Sequence, residues 1–441
     1  MRIFFKTYGC QMNIRDSEIM KGLLVRTGHE IVGELSKADV VVINTCAVRA
    51  KSENKAYSLI GRLKKRGFRV GVTGCVAEIA SRSLKNLGAD FVIGTRALTS
   101  IVDAVEGKID LDLSDRLSEI EKIVGTFDNM PRMSQLVAMR ASKHHAWVNI
   151  ISGCNKFCTY CIVPYTRGRE VSRPMKNVIK EVKALAKSGY NQITFLGQNV
   201  DSYGKDMNDG TTLAELFRQV YDVENIKRFW FLTSYPSDIT DELIEVVAER
   251  PRISRNFHLP AQSGSNTILK RMNRQYTREE YLELIQKIRS KVDGASIGGD
   301  IIVGFPGETD EDFEETLSLV KEVRYVRLNI APYSPRRGTV ASKLYPDDVS
   351  KAVKKKRMAV LSKIQHAIQL EMNESFVGKT VDIIVEGKTG GKSFGRTIDN
   401  RMIFLEGDIP EGECVKVKLS HATAGPIYGE LVRKVVSEVA R

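Results

Sequence analysis

Apolar runs alternate with amphipathic stretches along the first hundred residues. The runs predict four strands, at Ile3 to Thr7, Val40 to Asn44, Arg69 to Thr73 and Phe91 to Gly94. Apolar residues at helical spacing predict helices over 17–28, 49–66 and 78–87, the first capped by Asp16 or Ser17 and ended by Gly28. Strand and helix in repetition predict a parallel-sheet α/β domain, assigned to residues 1–125 with a connector at 126–143.

The same alternation resumes in the middle of the chain. Strands are predicted near Trp147 to Ile151, Gln192 to Leu196, Phe229 to Leu232, Asn256 to His258, Ile297 to Val303 and Val326 to Ala331. Six strand and helix units, closed by a last helix at about 347–373, predict an open (β/α)6 barrel over 144–373 with its chemistry at the carboxyl ends of the strands.

Beyond the barrel the pattern changes to short strand-like runs. They fall at Val381 to Val385, Met402 to Phe404, Val415 to Leu419 and Ile427 to Val432, with glycine-rich turns at Gly387 to Gly391. Residues 374–441 are therefore predicted to form a small antiparallel β-barrel of OB-like size.

Composition and charge narrow the class of protein. The 441 residues are 42% hydrophobic and 27% charged, which excludes a disordered or collagen-like chain. A net charge of +13 favours a polyanionic partner such as nucleic acid, and most of the excess lies before the terminal barrel. No apolar run reaches the length of a membrane span, and the first residues do not form a secretory signal, so we expect a cytoplasmic protein without a membrane partner.

Candidate RNA contacts are basic residues in two places. Arg167, Arg169 and Arg173 follow the central cysteine motif, and Lys64, Lys65 and Arg66 belong to a run of cations over 51–69. Guanidinium and ammonium groups there could hold RNA phosphates. Salt-bridged arginines and a solvated helix face are the commoner roles of such residues and remain open.

The cysteines carry the sharpest chemical signal. Cys154, Cys158 and Cys161 form C-x3-C-x2-C after a predicted strand, a spacing that can bring three thiolates to one [4Fe-4S] cluster and leave one iron open. A zinc site completed by His144 or His145 is the less favoured alternative. Cys10, Cys46 and Cys75 each follow a predicted strand end and should meet at one sheet edge, although each alone reads as a buried thiol, as does Cys414.

These motifs resemble those of the radical S-adenosylmethionine superfamily. With three upstream cysteines, the likeness extends along the chain to the methylthiotransferases, which join an α/β domain, a radical barrel and a TRAM domain. The resemblance implies that Cys10, Cys46 and Cys75 hold an auxiliary [4Fe-4S] cluster and that Cys154, Cys158 and Cys161 hold the cluster that cleaves S-adenosylmethionine to a 5′-deoxyadenosyl radical.

Short stretches indicate the subgroup. YGCQMNIRDSE, NTCAVRAKSENKAYSLIGRLK, CTYCIVPYTRGREVSR and GQNVDSYG look most like the enzymes that add a methylthio group to C2 of N6-isopentenyladenosine beside the anticodon. That likeness implies two S-adenosylmethionine molecules per product, a tRNA anticodon stem-loop as partner, and a one-electron donor such as flavodoxin or ferredoxin; the sulfur source stays open. Alternatives are methylthiolation of threonylcarbamoyladenosine or of a ribosomal-protein aspartate, and a non-catalytic iron–sulfur protein that binds RNA.

Candidate cofactor contacts follow the barrel strands. Gly197, Gln198 and Asn199 end the second strand, His258 and Gln262 follow the fourth, and Ile302 and Gly304 lie in the glycine-containing segment of the fifth. Backbone turns of this kind allow close approach to a ligand. Ordinary βα turns and a packed histidine are the alternatives.

Overall fold

The computed structural model describes residues 1–48, 50–108 and 139–434, and no side chains at 50–52 or 434. Most of the predicted connector, 126–138, lies outside these described residues. The described chain forms a parallel α/β sheet, a parallel barrel and a closed five-stranded barrel in sequence order. In the closed barrel four strand pairs are antiparallel and one is parallel. No helix in the described ranges has the length and apolar character needed to cross a membrane.

The first sheet has five parallel strands in the order β2-β1-β3-β4-β5. They are β1 Arg2–Thr7, β2 Glu30–Ile31, β3 Val40–Thr45, β4 Arg69–Gly74 and β5 Phe91–Ile93. The helices are α1 Gln11–Arg26, α2 Ala50–Lys65, α3 Cys75–Asn86 and α4 Ile101–Glu106, with 3-10 turns at Leu35–Lys37 and Leu98–Ser100. Successive β3 side chains pack into different clusters on the two faces of the sheet, as expected when helices cover both.

Two helices in this domain begin earlier than predicted. Helix α1 starts at Gln11 with Cys10 at its N-cap, six residues before the predicted start at 17, and α3 starts at Cys75. The apolar periodicity does not mark the first turn of α1, because its apolar residues Met12 and Ile14 lie two positions apart and alternate with polar side chains. Asn13 and Asp16 are nevertheless buried, since each finds a partner outside the helix.

The central barrel has the six predicted strands, which confirms the predicted fold class. They are β6 His145–Asn149, β9 Gln192–Leu196, β10 Arg228–Leu232, β11 Asn256–His258, β12 Ser296–Val303 and β13 Arg327–Pro332, with a small antiparallel ribbon of β7 Ile151–Ser152 and β8 Val171–Ser172. β6, β9 and β10 pair in parallel, as do β11, β12 and β13. A parallel bridge from Phe229 to Ile253 links the two halves, and aromatic rings of β9, β10 and β11 belong to the buried core of the barrel.

Helices surround these strands. They are α5 Val163–Arg167, α6 Met175–Lys187, α7 Leu213–Tyr221, α8 Asp241–Glu249, α9 Asn266–Arg271, α10 Arg278–Lys291, α11 Asp310–Val323, α12 Val340–Leu344 and α13 Lys351–Glu374, with 3-10 turns at Val200–Ser202 and Pro236–Asp238. The last helix, α13, begins four residues later than predicted, with Ser350 as its cap.

The terminal barrel is closed, in the order β14-β15-β16-β18-β17. Its strands are β14 Thr380–Thr389, β15 Lys392–Arg396, β16 Met402–Glu406, β17 Cys414–Ala422 and β18 Ile427–Lys434. The polar, glycine-containing β15 was not predicted. Of the predicted turn region Gly387 to Gly391, the chain turns only at Gly390 and Gly391, and Gly387 lies within β14 at an irregularity in its pairing with β15.

This terminal barrel packs against the amino ends of the central strands. The Asn191 amide, just before β9, donates to the Gly412 carbonyl at 2.8 Å, and Ser254, just before β11, donates to the Ile398 carbonyl at 3.1 Å. Arg228 at the start of β10 donates to the Arg396 carbonyl. The terminal barrel therefore lies at the end of the central barrel opposite to the carboxyl ends of its strands.

Candidate functional site

The three upstream cysteines lie at one edge of the first sheet. Thr45 and Gly74 are paired in neighbouring strands, so Cys46 and Cys75, which follow them directly, are placed side by side. Gly9 has φ +142°, and a Cβ built on it would lie only 2.9 Å from the Cβ of Cys46, so the Cys10 loop runs directly over Cys46. Cys46 and Cys75 are buried and Cys10 is exposed.

A buried amide pair holds these loops together. Asn13 donates to Asn44 Oδ1 at 2.9 Å and to the Thr45 carbonyl at 3.1 Å, while Asn44 donates to the Asn13 carbonyl at 2.8 Å. Both side chains are fully buried, so loss of either would leave unpaired polar groups in the interior. The sequence motif contains Asn13, but only the structure shows its link to Asn44.

The central cysteine loop leaves the barrel after β7. Gly153, at φ +83°, has no room for a side chain, since its Cβ would lie 1.9 Å from the Arg169 carbonyl oxygen. Its N–H donates to Gln198 Oε1 at 2.6 Å, and the Cys154 N–H donates to the Gly168 carbonyl at 3.1 Å. Gln198, a predicted cofactor contact, thus holds the start of the cysteine loop.

Arg274 places a positive charge beside this loop. Its Nη1 lies 3.4 Å from Cys158 Sγ and from the Tyr160 hydroxyl, and its Nη2 donates to the Pro260 carbonyl at 2.8 Å. A fixed guanidinium stabilises thiolate and the net negative charge of an iron–sulfur cluster. No local sequence pattern links Arg274 to this loop, because it lies 116 residues from Cys158 along the chain.

Burial dominates the ionisation of the central thiols. It raises the pKa of Cys154 to about 11 and that of Cys161 to about 12, the latter with a contribution from Cys158. Protons must therefore leave these thiols when they bind iron. Among the described residues, no group of three or more His, Cys, Asp or Glu side chains is arranged as a finished metal site.

Arg167 joins the two cysteine-bearing regions. It ends α5, which begins two residues after Cys161, and its Nη2 pairs with Asp16 Oδ2 of α1 at 2.7 Å; both side chains are about 5% exposed or less. Burial alone lowers the pKa of Arg167, but the Asp16 carboxylate and the thiols of Cys75 and Cys10 raise it above its ordinary value. Arg167 is thus close to the upstream cysteines while it belongs to the central barrel.

Two more contacts fix the same interface. Arg336, from the loop after β13, donates to the Val48 carbonyl at 3.1 Å, next to Cys46. Glu181 of α6 pairs with Arg15 at 2.9 Å, Arg140 at 2.7 Å and Arg173 at 2.8 Å. A carboxylate fully buried among three guanidiniums holds α1 and the barrel in one orientation.

These pairings correct part of the predicted RNA surface. Arg167 and Arg173 are engaged inside the protein by Asp16 and Glu181, so neither presents a free guanidinium to RNA. Arg169 is exposed and lies over the Phe157 ring at 4.3 Å. Lys64 pairs with Asp90 at 2.7 Å, whereas Lys65 and Arg66 are exposed; for these residues, RNA contact stays a prediction.

The remaining cofactor candidates lie around the carboxyl ends of the barrel strands. Asn199 donates to Ser202 and Asp238, but its buried Oδ1 has no partner among the described residues. Gly197 packs on Ile151, and Gln262, at φ +73°, bridges to Ile301, the neighbour of Ile302. His258 lies 3.7 Å from Asp300, and Gly304 is pressed against Lys354. Their role toward a cofactor stays a prediction.

The residues fit the two [4Fe-4S] clusters and the S-adenosylmethionine that the sequence implied. Two sets of three thiols, a cation at Cys158 and an unpartnered buried acceptor at Asn199 suit two clusters with open irons and an amino-group ligand. The zinc alternative fits poorly. His145, at the start of β6 and thus at the end of the strand away from the cysteine loop, bonds Thr194 at 2.6 Å.

Comparison with known proteins assigns the architecture. Three family models match: the Uncharacterized protein family UPF0004 over residues 2–94, the Radical SAM superfamily over 148–320 and the TRAM domain over 374–432. A radical S-adenosylmethionine methyltransferase, TsrM, from Kitasatospora setae has a similar fold, with a TM-score of 0.55 over 77% of this chain and 74% of that chain at 12% identity. The cobalamin-dependent radical enzyme OxsB has a TM-score of 0.53 over 80% and 56% at 14% identity. The chain thus carries a radical SAM barrel between an N-terminal UPF0004 domain and a C-terminal TRAM domain.

Proteins of similar sequence identify the family within the radical SAM superfamily. Proteins named tRNA-2-methylthio-N(6)-dimethylallyladenosine synthase from Pseudothermotoga lettingae and Thermotoga petrophila are each 52% identical, covering 98% of this chain and 99% and 97% of their own length. The protein of that name from Thermoanaerobacter pseudethanolicus is 42% identical, with 98% and 92% covered. The chain belongs to this family of radical SAM methylthiotransferases.

Proposed function

We propose that this protein adds a methylthio group to C2 of N6-isopentenyladenosine in tRNA. The observation that carries the proposal is identity of 52% along 98% of the chain to relatives named for that product. The structure supports it by placing two cysteine sets in neighbouring domains that Arg167 and Asp16 join.

The enzyme uses S-adenosylmethionine and [4Fe-4S] clusters. We assign the auxiliary cluster to Cys10, Cys46 and Cys75 and the radical cluster to Cys154, Cys158 and Cys161. When bound, the radical cluster supplies the electron that cleaves S-adenosylmethionine, and the auxiliary cluster presents sulfur. Two S-adenosylmethionine molecules per product are part of the proposal, one as methyl donor and one as radical source.

The chain's own residues set the geometry for this chemistry. Gln198 and Gly153 hold the start of the radical loop, while Arg274 neutralises charge at Cys158. The buried Asn199 Oδ1, which has no partner among the described residues, would accept a hydrogen bond from the amino group of the cofactor. The Arg167–Asp16 pair fixes the two loops relative to each other, which matters because small displacements of reacting groups are costly in rate.

The TRAM domain and the basic surfaces support tRNA as substrate. The target base must leave its stack to reach a buried site, and single-stranded anticodon-loop bases do so at low cost. We further propose a donor of the flavodoxin or ferredoxin class for the electron, and a cytoplasmic location, where tRNA is modified.

The decisive experiment is product analysis with competing substrates. Protein reconstituted anaerobically with iron and sulfide would be given an isopentenylated anticodon stem-loop, a threonylcarbamoylated stem-loop and the ribosomal-protein substrate in parallel. We expect a methylthio product with the first substrate alone. A product only with either of the others would replace the proposal.

Variants test the assignment of the clusters. Replacing Cys154, Cys158 and Cys161 by Ala should abolish 5′-deoxyadenosine formation and lower bound iron from about eight to about four per chain. Replacing Cys10, Cys46 and Cys75 should also remove about four irons but leave 5′-deoxyadenosine formation in place. A wild-type protein that forms no 5′-deoxyadenosine would favour the non-catalytic RNA-binding alternative.

A further inference from the structure

The outer face of helix α6 carries four exposed lysines. Lys176, Lys180, Lys183 and Lys187 are separated by four, three and four residues, so they form one row along the helix. We call this row the α6 lysine row. At a rise of 1.5 Å per residue it is about 16 Å long.

The described residues do not neutralise the charge of this row. None of its four lysines has a hydrogen-bond or ion-pair partner within 1–48, 50–108 and 139–434. The single acidic residue of α6, Glu181, points to the opposite side and is taken by three arginines. Like charges at these spacings destabilise a helix. A helix face that is only solvated would be more stable with acidic residues between the lysines.

Two exposed lysines on another barrel helix are arranged differently. Lys287 and Lys291 of α10, also one turn apart, pair with Asp241 at 2.8 Å and Glu245 at 2.9 Å. This helix shows what a lysine-bearing outer surface looks like when it is neutralised within the protein. Within the part of the chain that the structure describes, the α6 lysine row lacks such partners, which leaves it available to an external anion.

The two ends of α6 lie near different parts of the protein. Its first residue, Met175, closely follows β8, which pairs with β7 directly before the radical cysteine loop. Its last residue, Lys187, lies four residues before Asn191, whose side chain bonds Gly412 of the terminal barrel. The row therefore runs along the outside of the barrel between the cysteine-loop end and the TRAM domain.

We propose that the α6 lysine row binds backbone phosphates of the substrate tRNA between the TRAM domain and the active-site end of the barrel. This inference rests on the proposed function. Because the TRAM domain lies at the far end of the barrel, an RNA held by both must cross the barrel's flank, and the row supplies evenly spaced point charges along that path. Lysines of this kind hold phosphates without reading sequence.

The test is the salt dependence of tRNA binding. Binding of isopentenylated tRNA to the reconstituted protein would be measured over a series of salt concentrations for wild type, for Lys183→Gln/Lys187→Gln and for the matched control Lys287→Gln/Lys291→Gln. Each phosphate contact contributes about 0.7 to 0.9 to the slope of log affinity against log salt. We expect the α6 variant to lose about 1.5 from that slope and the control to keep it.

The outcomes separate this inference from the proposed function. An α6 variant with the wild-type slope overturns the lysine row as an RNA surface, whatever the protein modifies. Wild-type protein that binds no tRNA or forms no methylthio product overturns the proposed function itself. Unchanged tRNA binding with slower reduction by an acidic donor protein would assign the row to that protein and also overturn the proposal. Iron content and thermal midpoint should match wild type in both variants.

Discussion

The Arg167–Asp16 pair should be the most sensitive contact between the two cysteine-bearing domains. Replacing Arg167 by Met leaves the Asp16 carboxylate about 4% exposed and without its guanidinium partner 2.7 Å away. An uncompensated buried charge of this kind costs about 3 to 5 kcal/mol. We expect Arg167→Met to lower the apparent free energy of unfolding by that amount.

The assay is a double-mutant cycle followed by urea unfolding. Both tryptophans, Trp147 and Trp230, lie in barrel strands, so their fluorescence reports unfolding of the barrel. Arg167→Met and Asp16→Asn should each be strongly destabilising, and the double variant should lose clearly less than their sum, because removing both charges leaves none unpaired.

A matched control lies two residues away. Arg169→Met removes an exposed guanidinium over the Phe157 ring and should cost about 0.5 to 1 kcal/mol. Additive losses in the cycle, or a cost for Arg167→Met no larger than that of the control, would refute the argument. Because Arg167 is also close to Cys10 and Cys75, Arg167→Met should lower the iron retained by protein whose three central cysteines are already Ala.

Three further predictions follow from single residues. Gly153→Ala should prevent assembly of the radical cluster, because the added Cβ would lie 1.9 Å from a carbonyl oxygen. Gly189 has a similar φ, but a Cβ added there would meet no atom within 4 Å, so Gly189→Ala should retain the iron. Iron analysis of both variants checks this. Arg274→Met should lower the midpoint potential of the radical cluster in a redox titration, since removing a cation beside Cys158 disfavours the added electron, and an unchanged potential would contradict this. Burial lowers the pKa of His145 from about 6.5 to about 3, so between pH 6.5 and pH 3 the imidazole is protonated in the unfolded chain and neutral in the folded protein. The free energy of unfolding should therefore fall as the pH falls through that window. His145→Gln should make urea midpoints less pH-dependent there.

The strands were predictable because their apolar runs are continuous and local. The six central strands and the four main strands of the first domain were found within a few residues, and the convergence of Cys46 and Cys75 followed from the parallel topology. The start of α1 was missed because the polar and apolar residues of its first turn alternate without helical spacing, and because Asn13 is held by Asn44 from another strand.

Local sequence pattern could not predict side-chain pairs between residues that lie far apart along the chain. Arg167 was predicted as an RNA contact, but its partner Asp16 lies 151 residues away, and the burial of both depends on how two domains pack. Arg274 was missed for the same reason. The position of the TRAM domain at the amino ends of the barrel strands had no signature in sequence, and it changes where RNA must run on the surface.

The most direct test of the central claim is nucleoside mass analysis after one reaction. Reconstituted wild-type protein and its Cys10→Ala/Cys46→Ala/Cys75→Ala variant would be incubated with S-adenosylmethionine, a reductant and an isopentenylated anticodon stem-loop. The account predicts the 2-methylthio nucleoside from wild type and unmodified nucleoside, with continued 5′-deoxyadenosine formation, from the variant. A wild-type reaction without methylthio product, or a variant that still makes it, would contradict the account.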